Sequence, residues 1–309
     1  MGWQFVCVLL SVLFIFYLAY TVFKYTRMIS HIFLSLKYRP SIEAVVVSRG
    51  APIEILDSSD HHIQAIFLEK ERSKKLAIFC HESGAGRESW EKYAYFLPDI
   101  GFSILSVDLD AASDAEGVNT LSQWPTHNQM ERLSTAIRWA KRAISSDVAI
   151  VLFGVSNGAD VALAASFYDT AVKAVITDGL FSMKEVFRDY IRKWAPILVK
   201  PNFFGDRHPK WVIGIFASLG FWYSEKRSGK RFVDVEYFLR VKHKPLFMIY
   251  GQQDDYVPES HREFLSKMNQ KKNVSFSLVV PNAKHNESVL VAREDYQRDV
   301  ETFLETCVI

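Results

Sequence analysis

The chain has 309 residues, a formal net charge of +2 and 49% hydrophobic residues, which suffices for one large α/β domain with an appendage. The nearly balanced charge, without a long basic block, argues against a nucleic-acid partner. The three cysteines are far apart and form no Cys-x-x-Cys motif, which argues against a disulfide framework and a zinc site. We expect neither a metal nor another cofactor.

The first predicted element is an uncharged apolar segment from Trp3 to Phe23, about 20 residues long, which is the length of a bilayer-spanning helix. A cleaved signal peptide is the competing interpretation, but no Lys or Arg precedes the segment and no small-x-small cleavage site follows it. Positive charges begin at Lys24, which by the positive-inside tendency places the remaining chain on the cytoplasmic side. We therefore predict a single-pass membrane anchor over residues 1–40 and a globular domain over 41–309.

The globular domain alternates short apolar runs with amphipathic segments. Strands are predicted at 44–47, 52–56, 62–68, 75–80, 101–107, 147–153, 171–177, 244–251 and 274–280. Helices are predicted at 90–97, 131–143, 261–268 and 289–305. This alternation predicts parallel βαβ units in a mostly parallel sheet that helices cover on both faces. The chemistry of such sheets lies at the carboxyl ends of the strands.

An insertion from about residue 181 to 240 interrupts the alternation. It is rich in aromatic residues and ends in a basic run. We predict a helical cap that lies over the site as a lid, although the same helices could simply cover the domain. The aromatic and cationic content would also suit an anionic membrane surface.

A Gly-x-Ser-x-Gly motif follows the apolar run that begins at Ile150. Gly154 and Gly158 carry no Cβ, so the chain can make a very tight turn around Ser156. The turn would raise the Ser156 hydroxyl above the sheet, at the positive end of the next helix. By itself the motif could also be an ordinary loop, because short motifs occur by chance.

A serine nucleophile needs a base that accepts its proton and a carboxylate that orients the base. Asp254 follows a strand in Gly-Gln-Gln-Asp-Asp-Tyr-Val-Pro, and His285 follows another in Pro-Asn-Ala-Lys-His-Asn. Asp255 and Asp178 are alternatives for the acid, and the motif context favours Asp254. Among the other histidines, His261 is expected on the surface of a helix.

These three motifs, in the order Ser, Asp, His, resemble those of the α/β-hydrolase superfamily from about Ile42 onward. The resemblance implies the α/β-hydrolase fold, with Ser156 as nucleophile, His285 as general base and then acid, and Asp254 as the orienting acid. The chain is similar in particular to esterase and serine-peptidase-like branches that carry a helical insertion after the strand ending at Asp178.

An oxyanion hole is implied by the same resemblance. The backbone N–H of Asn157 would supply one donor, because it follows the nucleophile. The backbone N–H of Ser83 is assigned as the other. Relatives usually carry His-Gly where this chain has His81-Glu82, a departure that concerns the shape of the hole rather than its location.

The sequence thus predicts a membrane-anchored serine hydrolase of esters or thioesters, including lipid-derived acyl substrates. A serine peptidase of the same fold is an alternative because the chemistry is shared. A non-catalytic α/β-hydrolase-like binding module, or a tether that recruits partners, is another. The expected partners are a small-molecule or lipid-like acyl substrate and the membrane, and the sequence does not indicate the oligomeric state.

Overall fold

The computed structural model describes residues 2–35, 48–56, 62–109, 123–198, 210–241, 244–270 and 275–308. The strand predicted at 44–47 lies outside these residues. The described residues form two compact units, one made of helices and one built around a β-sheet.

The described strands form one eight-stranded sheet. They are β1 (Ala51–Leu56), β2 (His62–Leu68), β3 (Lys75–Cys80), β4 (Ser103–Val107), β5 (Ala149–Val155), β6 (Val172–Asp178), β7 (Leu246–Gly251) and β8 (Ser275–Val280). Their spatial order is β1-β2-β4-β3-β5-β6-β7-β8. Strand β2 is antiparallel to both of its neighbours, whereas all pairs from β4 to β8 are parallel. The predicted mostly parallel sheet is confirmed.

The described helices are α1 (Gly2–Ser35), α2 (Trp90–Tyr93), α3 (His127–Ala143), α4 (Asn157–Ala165), α5 (Met183–Leu198), α6 (Lys210–Ser228), α7 (Val235–Val241), α8 (Glu259–Gln270), α9 (Ser288–Val291) and α10 (Arg293–Cys307). Helices α1, α5 and α6 belong to the helical unit, and the others belong to the sheet unit.

The core of the sheet unit explains why its central strands are continuous apolar runs. Strands β3, β5 and β6 are almost wholly buried, since helices pack on both faces of the sheet. On one face the rings of Phe79 and Phe153 lie 5.7 Å apart, and residues from α2 and α10 cover them. Helix α4, whose nine residues are all buried, packs against β5. This packing holds the carboxyl ends of the strands in fixed register.

Several helix boundaries differ from the sequence prediction. Helix α3 begins at His127, four residues early, because Thr126 and Gln129 form a reciprocal capping box. The helix predicted at 90–97 ends at Tyr93, and turns follow before Pro98. The helix predicted at 289–305 is broken at Ala292, whose φ of −134° and ψ of 57° are not helical, so α9 and α10 are separate.

The helical unit is assembled around α1, the one helix in the described part of the chain that is long and apolar enough to cross a membrane. Residues 2–20 are exposed along their whole length, whereas part of the remainder packs against α5 and α6. Ser30 and Ser224 hydroxyls meet at 2.9 Å, and Phe33 is fully buried with its ring 4.5 Å from that of Phe187. A Cβ on Gly220 would lie 2.7 Å from Ile29, so glycine permits this close approach.

Candidate active site

Ser156 occupies a strained turn between β5 and α4. Its φ of 50° and ψ of −116° are unusual for a residue with a side chain and cost on the order of 1–3 kcal/mol. A Cβ on Gly154 would lie 2.3 Å from the Gly158 carbonyl oxygen, and a Cβ on Gly158 would lie 2.2 Å from that of Cys80. The Ser156 N–H also donates to the Asp178 carbonyl at 2.8 Å. Both glycines are therefore required by the close packing of this turn.

The Ser156 side chain begins a hydrogen-bonded chain of three residues. Its Oγ lies 2.9 Å from Nε2 of His285, and Nδ1 of His285 lies 2.7 Å from Oδ2 of Asp254. All three side chains are buried. With Asp254 ionised, Nδ1–H donates to the carboxylate, which leaves Nε2 to accept the serine proton. The structure brings together the three residues that the sequence motifs indicated, from strand ends far apart in the chain.

Asp254 is held by its own loop. Its Oδ1 accepts the backbone N–H groups of Tyr256 at 2.8 Å and Val257 at 2.7 Å, so only Oδ2 faces His285. These bonds fix the carboxylate in one orientation and stabilise its negative charge. Asp255, the adjacent alternative, is exposed.

The histidine loop is positioned by close contacts. A Cβ on Gly179, which has a φ of +74°, would lie 2.8 Å from Cε1 of His285. Likewise, a Cβ on Gly251 would lie 2.4 Å from the carbonyl oxygens of Ala283 and Lys284. The ring of Tyr256 lies 4.9 Å from the imidazole ring. Sequence reasoning missed this tyrosine, because only the tertiary structure places it against the histidine.

The two residues assigned to the oxyanion hole lie on adjoining segments. Asn157 is the first residue of α4, and Ser83 is buried in the loop after β3. The segments touch, because Gly158 approaches the carbonyl oxygens of both Cys80 and His81. Backbone N–H groups at the start of a helix and in an adjoining loop are the groups that stabilise an oxyanion in this kind of site.

Glu82, the departure from the usual motif, is fully buried. Its carboxylate accepts hydrogen bonds from the Ser89 and Tyr93 hydroxyls, each at 3.2 Å. The preceding His81 accepts the Leu109 N–H at Nε2, so its Nδ1–H donates to the Glu82 carbonyl at 2.8 Å. The substitution thus adds a buried acidic side chain with hydroxyl partners to the loop after β3.

Asp178 is a second buried carboxyl group beside the site, and it does not contact the histidine as an acid partner. Burial raises its pKa to about 8, against hydrogen bonding by Tyr296, while the nearby Asp254 charge raises it further. The Ser288 hydroxyl lies 3.4 Å from Oδ1. The carboxyl is therefore mainly neutral at pH 7, in contrast to a carboxylate that would stabilise an imidazolium.

Two other observations concern the remaining candidates. The expectation that His261 lies on a helix surface is wrong, because its side chain is only 3% exposed in the sheet unit. In the described ranges, no group of three or more His, Cys, Asp or Glu residues is arranged to hold a metal ion.

Structural comparison identifies the fold. The Pyrococcus furiosus esterase Pf2001 matches with a TM-score of 0.60 and 18% identity over 89% of this chain and 99% of that one. Est1E from Butyrivibrio proteoclasticus matches with a TM-score of 0.54 and 19% identity over 82% and 98% of the two chains. The butyrate-bound esterase Est2 from Thermogutta terrifontis matches with a TM-score of 0.57 and 14% identity over 82% and 94%.

The chain therefore has the α/β-hydrolase fold. No protein-family model matches the sequence, and a comparison with curated proteins found no match either. The likeness is one of three-dimensional structure, with identities of 14–20% among the solved structures.

Proposed function

We propose that this protein is a membrane-anchored serine hydrolase that cleaves an ester or a thioester through an acyl-enzyme intermediate. The observation that carries the proposal is the continuous hydrogen-bonded chain from Ser156 Oγ through His285 to Asp254. Three buried polar side chains in this order provide a nucleophile, a proton acceptor and an orienting charge. An ester substrate is favoured because the structural neighbours named above are esterases.

Acylation begins when Ser156 Oγ attacks the substrate carbonyl carbon while its proton moves to His285 Nε2. The imidazolium that forms is stabilised by Asp254, 2.7 Å from Nδ1. The negative charge on the carbonyl oxygen is stabilised by the N–H groups of Asn157 and Ser83. His285 then gives its proton to the leaving oxygen or sulfur, which departs as an alcohol or a thiol.

Deacylation repeats the steps with water. His285 Nε2 takes a proton from the water as its oxygen attacks the acyl carbon, and the tetrahedral intermediate again uses the same N–H groups. Collapse of the intermediate releases the carboxylic acid and returns the proton to Ser156 Oγ. The cycle therefore requires only groups that this chain supplies and one water molecule.

Membrane anchoring is supported by the exposed half of α1. Residues 3–23 span about 31 Å at the α-helical rise of 1.5 Å per residue, which matches a hydrocarbon core of about 30 Å. Exposed large apolar side chains also mark one stripe of α6, namely Trp211, Ile215 and Trp222. We place the body of the protein on the cytoplasmic side, because the positive charges follow the apolar segment.

Covalent labelling by a fluorophosphonate probe tests the enzyme assignment. The wild type and Ser134→Ala, which changes a hydroxyl bonded only within helix α3, should be labelled, whereas Ser156→Ala should not be. Absence of labelling on folded wild type would contradict catalysis and favour the binding module. Turnover of p-nitrophenyl esters of graded length, compared with a peptide panel, then separates an esterase from a peptidase.

The topology is tested separately. Carbonate extraction should leave the full-length chain in the membrane fraction, and protease added to intact cells should leave the body of the protein undigested. Recovery in the soluble fraction would contradict the anchor, and digestion from outside would reverse the orientation.

A further inference from the structure

A cavity of about 440 Å³ lies within the helical unit, beside the second half of α1. It is lined by Tyr20, Phe23, Lys24, Arg27, Met28, His31 and Arg227. Six of these residues come from α1, and Arg227 comes from the last turn of α6. The lining combines aromatic and apolar side chains with three permanent positive charges and a histidine.

The cations of this cavity lack carboxylate partners. Within the described ranges, Lys24, Arg27 and Arg227 form no ion pair, although other arginines and lysines of the chain do so repeatedly. The contact recorded for Lys24 is with the Tyr25 ring, 5.8 Å from its ammonium nitrogen. Three like charges that converge on one cavity without counter-charges favour an anionic ligand.

The position of the cavity along α1 indicates where that ligand resides. If residues 3–23 cross the hydrocarbon core, the segment from Lys24 to His31 covers about the next 12 Å, at headgroup depth. Tyr20 and Phe23 lie at the boundary, where aromatic side chains are preferred. The apolar wall of the cavity continues into the exposed apolar face of α1, so a ligand with both an anionic group and acyl chains fits better than a free anion.

We propose that this cavity binds the phosphate headgroup of an anionic phospholipid, with the acyl chains lying along the exposed half of α1. The phosphate contacts Arg27 and Arg227 from opposite helices, with Lys24 close by, and thereby bridges α1 and α6. This inference rests on the membrane anchoring proposed above, but it does not depend on the esterase activity. It assigns the cationic end of the insertion to lipid recognition rather than to catalysis.

Lipid binding to the full-length chain in a neutral detergent tests the proposal. Dioctanoyl phosphatidylglycerol is titrated and followed by native mass spectrometry, with dioctanoyl phosphatidylcholine and inorganic phosphate in separate arms. We expect the wild type to bind phosphatidylglycerol at least tenfold more tightly than the other two. The R27Q/R227Q variant should bind it about thirtyfold more weakly, since each cation near a membrane surface contributes a factor of about five.

The matched control is K193Q/K226Q, which removes two exposed cations of the same helical unit that do not line the cavity. It should bind like the wild type. Equal loss in both variants, or equal binding of the two lipids, would overturn the proposal. Inorganic phosphate binding as tightly as the lipid would also overturn it, because the cavity would then be a phosphate site.

Two further measurements separate this failure from failure of the proposed function. Hydrolysis of a p-nitrophenyl ester by the same samples reports on Ser156 alone and should be unchanged in both double variants. A chain that remains in carbonate-washed membranes without lipid selectivity contradicts only this inference. A chain released by carbonate contradicts the anchor itself.

Discussion

The hydroxyl of Tyr93 donates a hydrogen bond to the buried carboxylate of Glu82 at 3.2 Å. The same hydroxyl lies 3.5 Å from the carbonyl oxygen of Asn286, the residue after His285. Glu82 also accepts the Ser89 hydroxyl. The acidic residue that replaces the usual glycine therefore connects the loop after β3, where the oxyanion donor is proposed, with the loop that carries the histidine.

Replacing Glu82 tests this connection. Glu82→Ala leaves two buried hydroxyls without their acceptor, so the free energy of unfolding should fall by about 1–3 kcal/mol. Glu82→Gln keeps an acceptor oxygen and should lose less. Thermal unfolding measures both variants, with Glu305→Ala as the control, since this exposed glutamate in α10 should change stability by less than about 0.5 kcal/mol. Equal stability of Glu82→Ala and wild type would show that the buried contacts contribute nothing.

The adjacent aspartates provide a matched pair for the acid role. Asp254→Asn removes the charge that holds the histidine tautomer and stabilises the imidazolium, so kcat should fall by about 10³ to 10⁴ with little change in KM. Asp255→Asn changes an exposed side chain and should stay within about tenfold of wild type. Steady-state kinetics on a p-nitrophenyl ester compare the two, and the reverse ranking would transfer the acid role away from Asp254.

The raised pKa of Asp178 predicts that stability depends on pH. The unfolded carboxyl ionises near its ordinary pKa of 3.8, whereas the folded one remains protonated until about pH 8. The unfolded state therefore binds fewer protons over this interval, and this contribution to stability falls as pH rises from about 4 to about 8. Asp178→Asn cannot ionise and should lose less stability than wild type between pH 5 and pH 8.

Asp147→Asn is the control for this pH effect. Hydrogen bonding by Lys74 and Ser145 lowers the pKa of Asp147 to about 2, so both of its states are ionised throughout that interval. Thermal unfolding at pH 5 and pH 8 should show the wild-type pH dependence in this variant. An identical pH dependence in Asp178→Asn would contradict a protonated Asp178.

The glycines of the serine turn predict a steric effect. In Gly158→Ala the new Cβ would meet backbone oxygens at 2.2 and 2.5 Å, so α4 must shift away from β3. We expect a loss of more than about 2 kcal/mol in unfolding free energy and a strong loss of turnover. Gly214→Ala in helix α6 meets no atom within 4 Å and should be neutral or stabilising by up to about 1 kcal/mol. Thermal unfolding and ester turnover measure both, and similar losses in the two variants would contradict the steric explanation.

Local sequence patterns were sufficient for the strands and for the serine turn. Buried parallel strands are continuous apolar runs because helices cover both faces, and β3 matches its predicted bounds. The tight turn at Ser156 was recognisable because two glycines at fixed spacing are needed for its backbone to pack closely. The apolar helix at the N-terminus was predicted for the same reason, since its composition alone defines it.

The tertiary structure decided how the polar groups are paired. Asp254 and Asp178 both end strands in the sequence, and only the folded sheet shows which lies beside His285 and which is buried with Ser288 and Tyr296. The burial of Glu82 and His261 was likewise invisible, because their neighbours come from distant segments. Secondary structure follows from interactions a few residues apart, whereas a site depends on contacts between residues far apart in the chain, such as the 129 positions that separate Ser156 from His285.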